Sequence, residues 1–340
     1  MSKVSSAGWR YARCGPISQV LTYETFDVIP GKEDAVVQMD VAPLHRVDAA
    51  VVNGTALGRK RVNMASLPRI GGCEGVGKVV RAPAATSATS TPVKEGDTVW
   101  VAPLHGTWAT NVAVPVSQLH KIDPRQAPLA ATASNFLVAQ QLLDGYARLQ
   151  KGDIVIQNGG SSLTSLAVSA LAKSYGVTVL TAATPGARFA NAKQRHAKYG
   201  SEVFEYNGAG SRSIQAAVGK RGAALYLNGV GGRPFDSFLK CVGPMAHVVT
   251  YGAQSGFGLF LSGSSLIYNE VTMAGLFAPT WLNSMSHGER QTRLELVLKA
   301  MQEAGVSYPM VTAPSLKTLP EVWDDMYVKG GLKAVVKMAA

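Results

Sequence analysis

No run of about eighteen apolar residues occurs in this 340-residue chain, which argues against a transmembrane helix, and its N-terminus lacks the apolar core of a secretory signal. Cysteine is scarce: Cys14, Cys73 and Cys241 are too few and too scattered for a disulfide framework, which favours a reducing compartment. Acid is missing from one long interval, since no Asp or Glu lies between Asp153 and Glu202. A G-x-G-x-x-G motif is missing too, which removes the simplest sign of a dinucleotide site.

What is present is a composition that can bury a large core, with 46% hydrophobic and only 16% charged residues, over a length that suits two domains. The net charge of +11 implies attraction to something anionic, whether nucleotide phosphate, an acidic carrier protein or nucleic acid, although the cations are spread rather than clustered. Lys3, Arg10 and Arg13 precede the first acid, Glu24, so a short import sequence is conceivable. Trp9 to Arg13 reads as a first strand, which leaves only about eight residues of leader.

The stretch from Asp153 to Ala183 reads as strand, glycine turn, helix and strand. Asp153 to Gln157 is a short apolar run, Asn158-Gly159-Gly160 a tight turn, and Ser161 or Ser162 a cap. From Leu163 the apolar residues recur at helical spacing up to Gly176, and a β-branched run, Val177 to Leu180, follows. This βαβ unit has the size expected at the entry to a nucleotide-binding sheet.

Residues 9 to 124 read as mostly β, with strands at Val36–Val41, Val76–Val80, Thr98–Val101 and Thr110–Val114 and a surface loop at Ala82–Pro92. Gln126 to Leu149 reads as helix. Beyond Ala183, helices at Arg188–Tyr199, Ser211–Lys220 and Phe235–Cys241 alternate with strands at Glu202–Glu205, Ala223–Leu227, His247–Tyr251 and Val271–Phe277, which predicts a doubly wound parallel sheet. Helices at His287–Glu303 and Leu319–Val328 and a strand at Leu332–Met338 close the chain. That strand has no partner in a finished nucleotide-binding sheet, so it belongs with the first domain. The expected class is α/β: a β-rich domain (residues 1–127 and 280–340) plus a parallel-sheet cofactor domain (128–279).

In such sheets an acid at the end of the second strand holds a ribose 2′-hydroxyl, whereas a 2′-phosphate needs that acid absent and a cation nearby. Here the second strand runs into Thr181-Ala182-Ala183-Thr184, with Arg188 and Lys193 following. NADP(H) is therefore preferred over NAD(H). In the turn, Leu163 and Ser165 stand where later glycines are expected, and Leu163 could obstruct the pyrophosphate. Ser161, Ser162 and Thr164 still offer hydroxyls at a helix N-terminus.

Several motifs stand in a recognisable order: Ala42-Pro43 followed by Asp48, Leu67-Pro68 with Gly71-Gly72 and Glu74-Gly75, Gly96-Asp97, Gly106-Thr107-Trp108, Val155-Ile156-Gln157-Asn158, Leu227-Asn228 with Val230-Gly231-Gly232, and Val249-Thr250-Tyr251-Gly252. On these the chain resembles the zinc-free medium-chain dehydrogenase/reductase superfamily, most like the mitochondrial-type 2-enoyl thioester reductases and next the quinone oxidoreductases. The resemblance implies a GroES-like catalytic domain and a Rossmann cofactor domain. It implies that Asn158, Gly159, Gly160, Ser161, Ser162, Leu163 and Thr164 face the pyrophosphate. Thr184 and Arg188 would lie by the 2′-phosphate, Asn228, Gly229, Val230, Tyr251 and Gly252 along the nicotinamide half, and Asn135 near the nicotinamide. Trp281 matches the aromatic position that shapes the acyl pocket.

The chain also departs from that pattern. The catalytic tyrosine should fall in Asn53–Gly58, where Thr55 is the nearest hydroxyl, and His45 replaces the asparagine that usually precedes Asp48. Cys73 stands where zinc-bearing relatives carry a histidine. The expected activity is NADPH-dependent, metal-free hydride transfer to an activated C=C bond of a 2-enoyl thioester, or to a quinone or enone. His45, Thr55 and Trp281 are the candidate catalytic residues, with His45 or solvent as proton source. The alternative is a degenerate reductase kept as an NADP- or RNA-binding protein. Expected partners are a small-molecule or acyl-thioester substrate, an acidic acyl carrier protein and a second copy of the chain, whose interface the apolar stretch Gly256–Val271 could edge. The compartment, mitochondrial or cytoplasmic, stays open.

Overall fold

In the computed structural model, the structure describes residues 3–55, 67–83, 93–256, 258–327 and 333–338. The chain forms two compact units, Met1–Ser134 with Pro279–Leu298 and Ser307–Ala340, and Asn135–Ala278 with Lys299–Val306. Ala56 to Gly58, most of the Ala82–Pro92 loop, Phe257, Val328 and Leu332 lie outside the described residues.

The first unit is built on a seven-stranded sheet in the order Met310–Ala313, Lys333–Lys337, Asp34–Pro43, Gly75–Arg81, Thr98–Val101, Leu119–Lys121, with Asn111–Pro115 also paired to Asp34–Pro43. The closing strand joins this sheet antiparallel to Asp34–Pro43, with Val336 opposite Ala42. A three-stranded sheet holds Thr22–Val28, Val4–Tyr11 and Arg69–Ile70. The first strand starts at Val4, ahead of the expected Trp9, and its hairpin partner Thr22–Val28 has no clear apolar alternation because it is mostly exposed at the sheet edge. The glycine motifs explain one another through Trp108, which is fully buried: a Cβ on Gly71 or on Gly72 would come within 2.6 Å of its ring. Gly106 adopts φ +72°, and its would-be Cβ sits 2.8 Å from the Ile70 carbonyl, so the turn before Trp108 requires glycine twice over.

The second unit is a six-stranded, all-parallel sheet in the order Glu202–Glu205, Thr178–Ala183, Ile154–Gln157, Ala223–Asn228, Val242–Thr250, Thr272–Gly275. The strand order reverses between Ile154–Gln157 and Ala223–Asn228, and the crevice at a doubly wound sheet's carboxyl edge opens at that reversal. The helix expected over Gln126–Leu149 is instead two, Ala127–Ala130 and Ala133–Asp144, and ends at Gly145. The helices Leu163–Ser174 and His287–Glu303 match the apolar spacing that predicts them.

One cluster in the first unit ties its stability to pH. His120 is fully buried, stacked 4.5 Å from His287, and burial with the nearby Arg290 guanidinium pushes its pKa down to about 3. An unfolded histidine titrates near pH 6.5, so between those values the unfolded chain binds a proton that the folded chain refuses. This contribution is complete above pH 6.5 and is lost as pH falls toward 3. Melting temperature should therefore decline from pH 7 to pH 4, and His120→Phe, which keeps a ring but cannot titrate, should show a shallower decline; equal slopes would remove His120 from the account.

Candidate cofactor cradle and catalytic residues

The carboxyl edge of the second unit's sheet is organised by Asn158, which follows the Ile154–Gln157 strand and is fully buried. Its Nδ2 donates to Tyr226 Oη at 2.9 Å and Asn228 Oδ1 at 2.7 Å. Its Oδ1 accepts from Gly229 N at 2.6 Å and Val230 N at 3.0 Å. Every hydrogen-bonding position of the carboxamide faces protein, so Asn158 shapes the crevice and does not itself meet a pyrophosphate, as the resemblance implied. Asn228, also fully buried, extends the tie by donating to Thr250 Oγ1 at 3.1 Å and accepting from Gly231 N at 2.9 Å.

Gly229 and Gly252 are required by close approach. A Cβ on Gly229 would lie 2.9 Å from Tyr251 Oη, and one on Gly252 would lie 2.7 Å from the Gly229 carbonyl. Tyr251 thus lays its ring over Gly229, and burial raises its phenol pKa.

The turn itself is tight despite its missing glycines. Gly159 has φ +74°, and a Cβ on Gly160 would strike Thr181 Cγ2 at 2.6 Å. Ser162 caps the Leu163–Ser174 helix by accepting from Ser165 N at 3.1 Å. Leu163 is 3% exposed, so its side chain turns into the core and does not obstruct the helix N-terminus. Ser165 is fully buried, its Oγ donating within the turn to the Gly159 carbonyl at 3.0 Å or that of Ser162 at 2.9 Å.

Asn135 begins the second unit; its Nδ2 donates to Thr164 Oγ1 at 2.8 Å, while its Oδ1 is buried without a hydrogen-bond partner. An acceptor left over beside a helix N-terminus suits the carboxamide N–H of a nicotinamide, so the residues present fit the cofactor. Past the Thr178–Ala183 strand, Thr184 and Arg188 are both exposed, with Arg188 in the first turn of the helix Ala187–Ala197 and no acid in that turn. Asn158 to Thr164, Asn228 to Val230, Tyr251, Gly252 and Asn135 are therefore brought together at one edge.

The first unit gathers different chemistry. Glu74 is fully buried and its carboxylate accepts from four donors: His45 Nε2 at 2.7 Å, Trp100 Nε1 at 2.8 Å, Ser134 N at 3.0 Å and Ser134 Oγ. Lys333 Nζ donates to His45 Nδ1 at 2.9 Å and to the Leu44 carbonyl at 3.2 Å, and burial lowers its pKa to about 8. An ammonium at Nδ1 leaves the imidazole proton on Nε2, pointing at Glu74. His45 also stands at the N-cap of the helix Arg46–Val52, where its backbone N–H donates to Asp48 Oδ2 at 2.6 Å. Both ring nitrogens are committed, so the position expected to supply an acid bridges Glu74 and Lys333. Cys73 is buried, and burial together with Asp48 pushes its thiol well above the ordinary range.

Thr55 is exposed and its hydroxyl donates to Asn53 Oδ1 at 2.8 Å. Trp281 stands half-buried on the helix Ala278–Ser284 with the Arg293 guanidinium 6.0 Å from its ring. Sequence reasoning missed Glu74 and Lys333 as partners of His45, and Ser134 as a partner of Glu74, because 29 residues separate His45 from Glu74 and 288 separate it from Lys333.

Residues 31–124 match the alcohol dehydrogenase GroES-like domain. The mitochondrial enoyl-[acyl-carrier-protein] reductase of Arabidopsis thaliana is 28% identical over 291 residues, covering 83% of this chain and 74% of that protein. Its Xenopus tropicalis counterpart is 27% identical, covering 87% and 84%. Among solved structures, the Etr1p complex with NADP and crotonyl-CoA superposes with a TM-score of 0.81 at 20% identity, covering 98% of this chain and all of that one. A mycobacterial quinone oxidoreductase gives 0.80 at 20%, covering 98% and 99%. The Etr1p/Etr2p heterodimer from Candida tropicalis gives 0.80 at 21%, covering 98% and 100%. The GroES-like and Rossmann architecture and the resemblance to enoyl and quinone reductases expected from the sequence therefore hold.

The Glu74 cluster makes a test independent of any ligand. Glu74→Gln keeps the shape but turns an amide N–H₂ toward donors and strands the Lys333 charge, so it should cost about 3 kcal/mol in denaturant unfolding. A loss below about 0.5 kcal/mol would mean the cluster is solvated and contributes little.

Proposed function

We propose that this chain, which carries an alcohol dehydrogenase GroES-like domain and aligns over most of its length with mitochondrial enoyl reductases, is an NADPH-dependent reductase of the C=C bond of a 2-enoyl thioester. Quinones and enones form the second substrate class. The observation that carries this reading is the glycine cradle at the strand-order reversal, set beside a second strand whose end offers Thr184 and Arg188 and no carboxylate.

When bound, NADPH supplies a hydride from its nicotinamide C4. The chain's part is to hold and orient. The Leu163–Ser174 helix N-terminus with Ser161, Ser162 and Thr164 receives the pyrophosphate, Thr184 and Arg188 the 2′-phosphate, and Asn135 Oδ1 the carboxamide N–H. Gly229, Val230, Tyr251 and Gly252 wall the nicotinamide half, and Trp281 supplies an apolar face for the acyl chain. Thr55 would serve the developing enolate oxygen by turning its hydroxyl from Asn53 Oδ1. Addition of hydride to the β-carbon leaves that enolate, and solvent returns the proton, since the His45 Nε2 proton is held by Glu74.

Thermal-shift titration should give a larger shift with NADPH than with NADH, and Arg188→Ala should cut that preference about tenfold. The parent should oxidise NADPH with crotonyl thioesters; Trp281→Ala should raise KM, and His45→Asn should keep kcat within about threefold. No oxidation with thioesters or quinones would end the reductase reading, and a large fall in kcat for His45→Asn would restore His45 as the acid. A salt-dependent shift with RNA and no NADPH stabilisation would favour the RNA-binding alternative.

The net charge of +11 suits an acidic acyl carrier protein as the source of substrate, and the relatives named above suit a mitochondrial compartment. The second unit also offers a dimer edge: Thr272–Gly275 is a terminal strand, and the preceding segment exposes Phe260 (56%), Ile267 (72%) and Tyr268 (83%). Light scattering should give a dimer, and Ile267→Glu with Tyr268→Glu a monomer; a monomeric parent would remove this interface.

A further inference from the structure

We propose that His196 is a positioning residue that holds the turn 159–162 in its pyrophosphate-binding shape, replacing by a hydrogen bond what the missing glycines would have allowed by their smallness. This rests on the nucleotide reading above. His196 lies on the helix Ala187–Ala197, more than thirty residues after the turn, and is fully buried. Its Nε2 is 2.8 Å from the Gly160 carbonyl and its Nδ1 2.8 Å from Ser169 Oγ.

The direction of each bond follows from chemistry. A carbonyl only accepts, so Nε2 carries the proton and donates to Gly160. The neutral ring's Nδ1 then accepts from the Ser169 hydroxyl. Burial pushes the His196 pKa down to about 4, so the ring is neutral at neutral pH. Ser169 Oγ accepts in turn from Gln157 Nε2 at 3.0 Å, which anchors the chain of bonds in the central strand.

The consequence at the turn is geometric. In a trans peptide the N–H points opposite to the C=O, so directing the Gly160 carbonyl at His196 aims the Ser161 N–H away from His196. The preceding carbonyl is drawn in as well, since Gly159 O accepts from Ser162 N at 2.8 Å and lies 3.0 Å from Ser165 Oγ. Two successive carbonyls that would repel a phosphate are thereby turned away from it, and the helix N-terminus is left as the polar face of the turn.

The test is calorimetric titration of the parent, His196→Leu and His196→Gln with NADPH and, separately, adenosine 2′-monophosphate, which has the 2′-phosphate but no pyrophosphate. His196→Leu should weaken NADPH about tenfold and leave the fragment within about twofold. His196→Gln, whose side-chain N–H reaches the same carbonyl, should recover most of the loss, and amide exchange across residues 160–163 should quicken in the Leu variant alone. Equal weakening of both ligands, unchanged NADPH affinity or no rescue by Gln would overturn the positioning role while NADPH binding stands. A parent that binds no NADPH would overturn the nucleotide reading and this proposal with it. Should the Leu variant fail to fold, Ser169→Ala keeps the imidazole but releases its tautomer, and should weaken NADPH about threefold with the fragment unaffected; unchanged NADPH affinity would overturn the role.

Discussion

The four hydrogen bonds of the Asn158 carboxamide hold two parallel strands at the distance on which the crevice depends. Ile154–Gln157 and Ala223–Asn228 pair side by side, and where they end each backbone turns away from the other. Asn158 closes that divergence, with its amide on Tyr226 and Asn228 and its oxygen on Gly229 and Val230. Any smaller side chain would strand buried partners, each at about 1–3 kcal/mol. The close packing of Gly229, Tyr251 and Gly252 follows from this tie, because those loops meet only while the strand ends are held together.

The first unit rests on a similar economy with charge. Glu74 and Lys333 are joined through the His45 ring, and the Trp100 indole with the hydroxyl and backbone N–H of Ser134 complete the carboxylate's coordination. Isolated in the core either charge would be costly; bridged, each sees a compensating partner. His45 thereby acquires a structural duty where its position in the sequence suggested an acid. Lys333, on the last strand of the chain, becomes part of the same cluster only because that strand returns to the Asp34–Pro43 strand.

In the second unit, departures that look like decay in sequence are compensated by neighbours. Leu163 would obstruct a phosphate if it faced outward, but the first helical turn directs it into the core. Ser165 fills a glycine position and spends its hydroxyl on the carbonyls of the turn. Gln157, Ser169 and His196 then form a polar chain beneath the turn, drawn from one strand and two helices. The departures are thus mutually consistent.

The sequence by itself determined the class of the fold, the βαβ entry, the acid-free second strand and the long closing helix, since each is a local matter of periodicity, turn residues or charge within one stretch of chain. It also implied which strand belongs outside the parallel sheet. The edge strands Val4–Tyr11 and Thr22–Val28 were less legible, because a half-exposed edge carries little hydrophobic pattern. Only the tertiary structure decided which groups Asn158, His45 and His196 meet. Their partners lie from 27 to 288 residues away, and the direction of a buried hydrogen bond depends on which groups packing brings within about 3 Å, which no local spacing encodes.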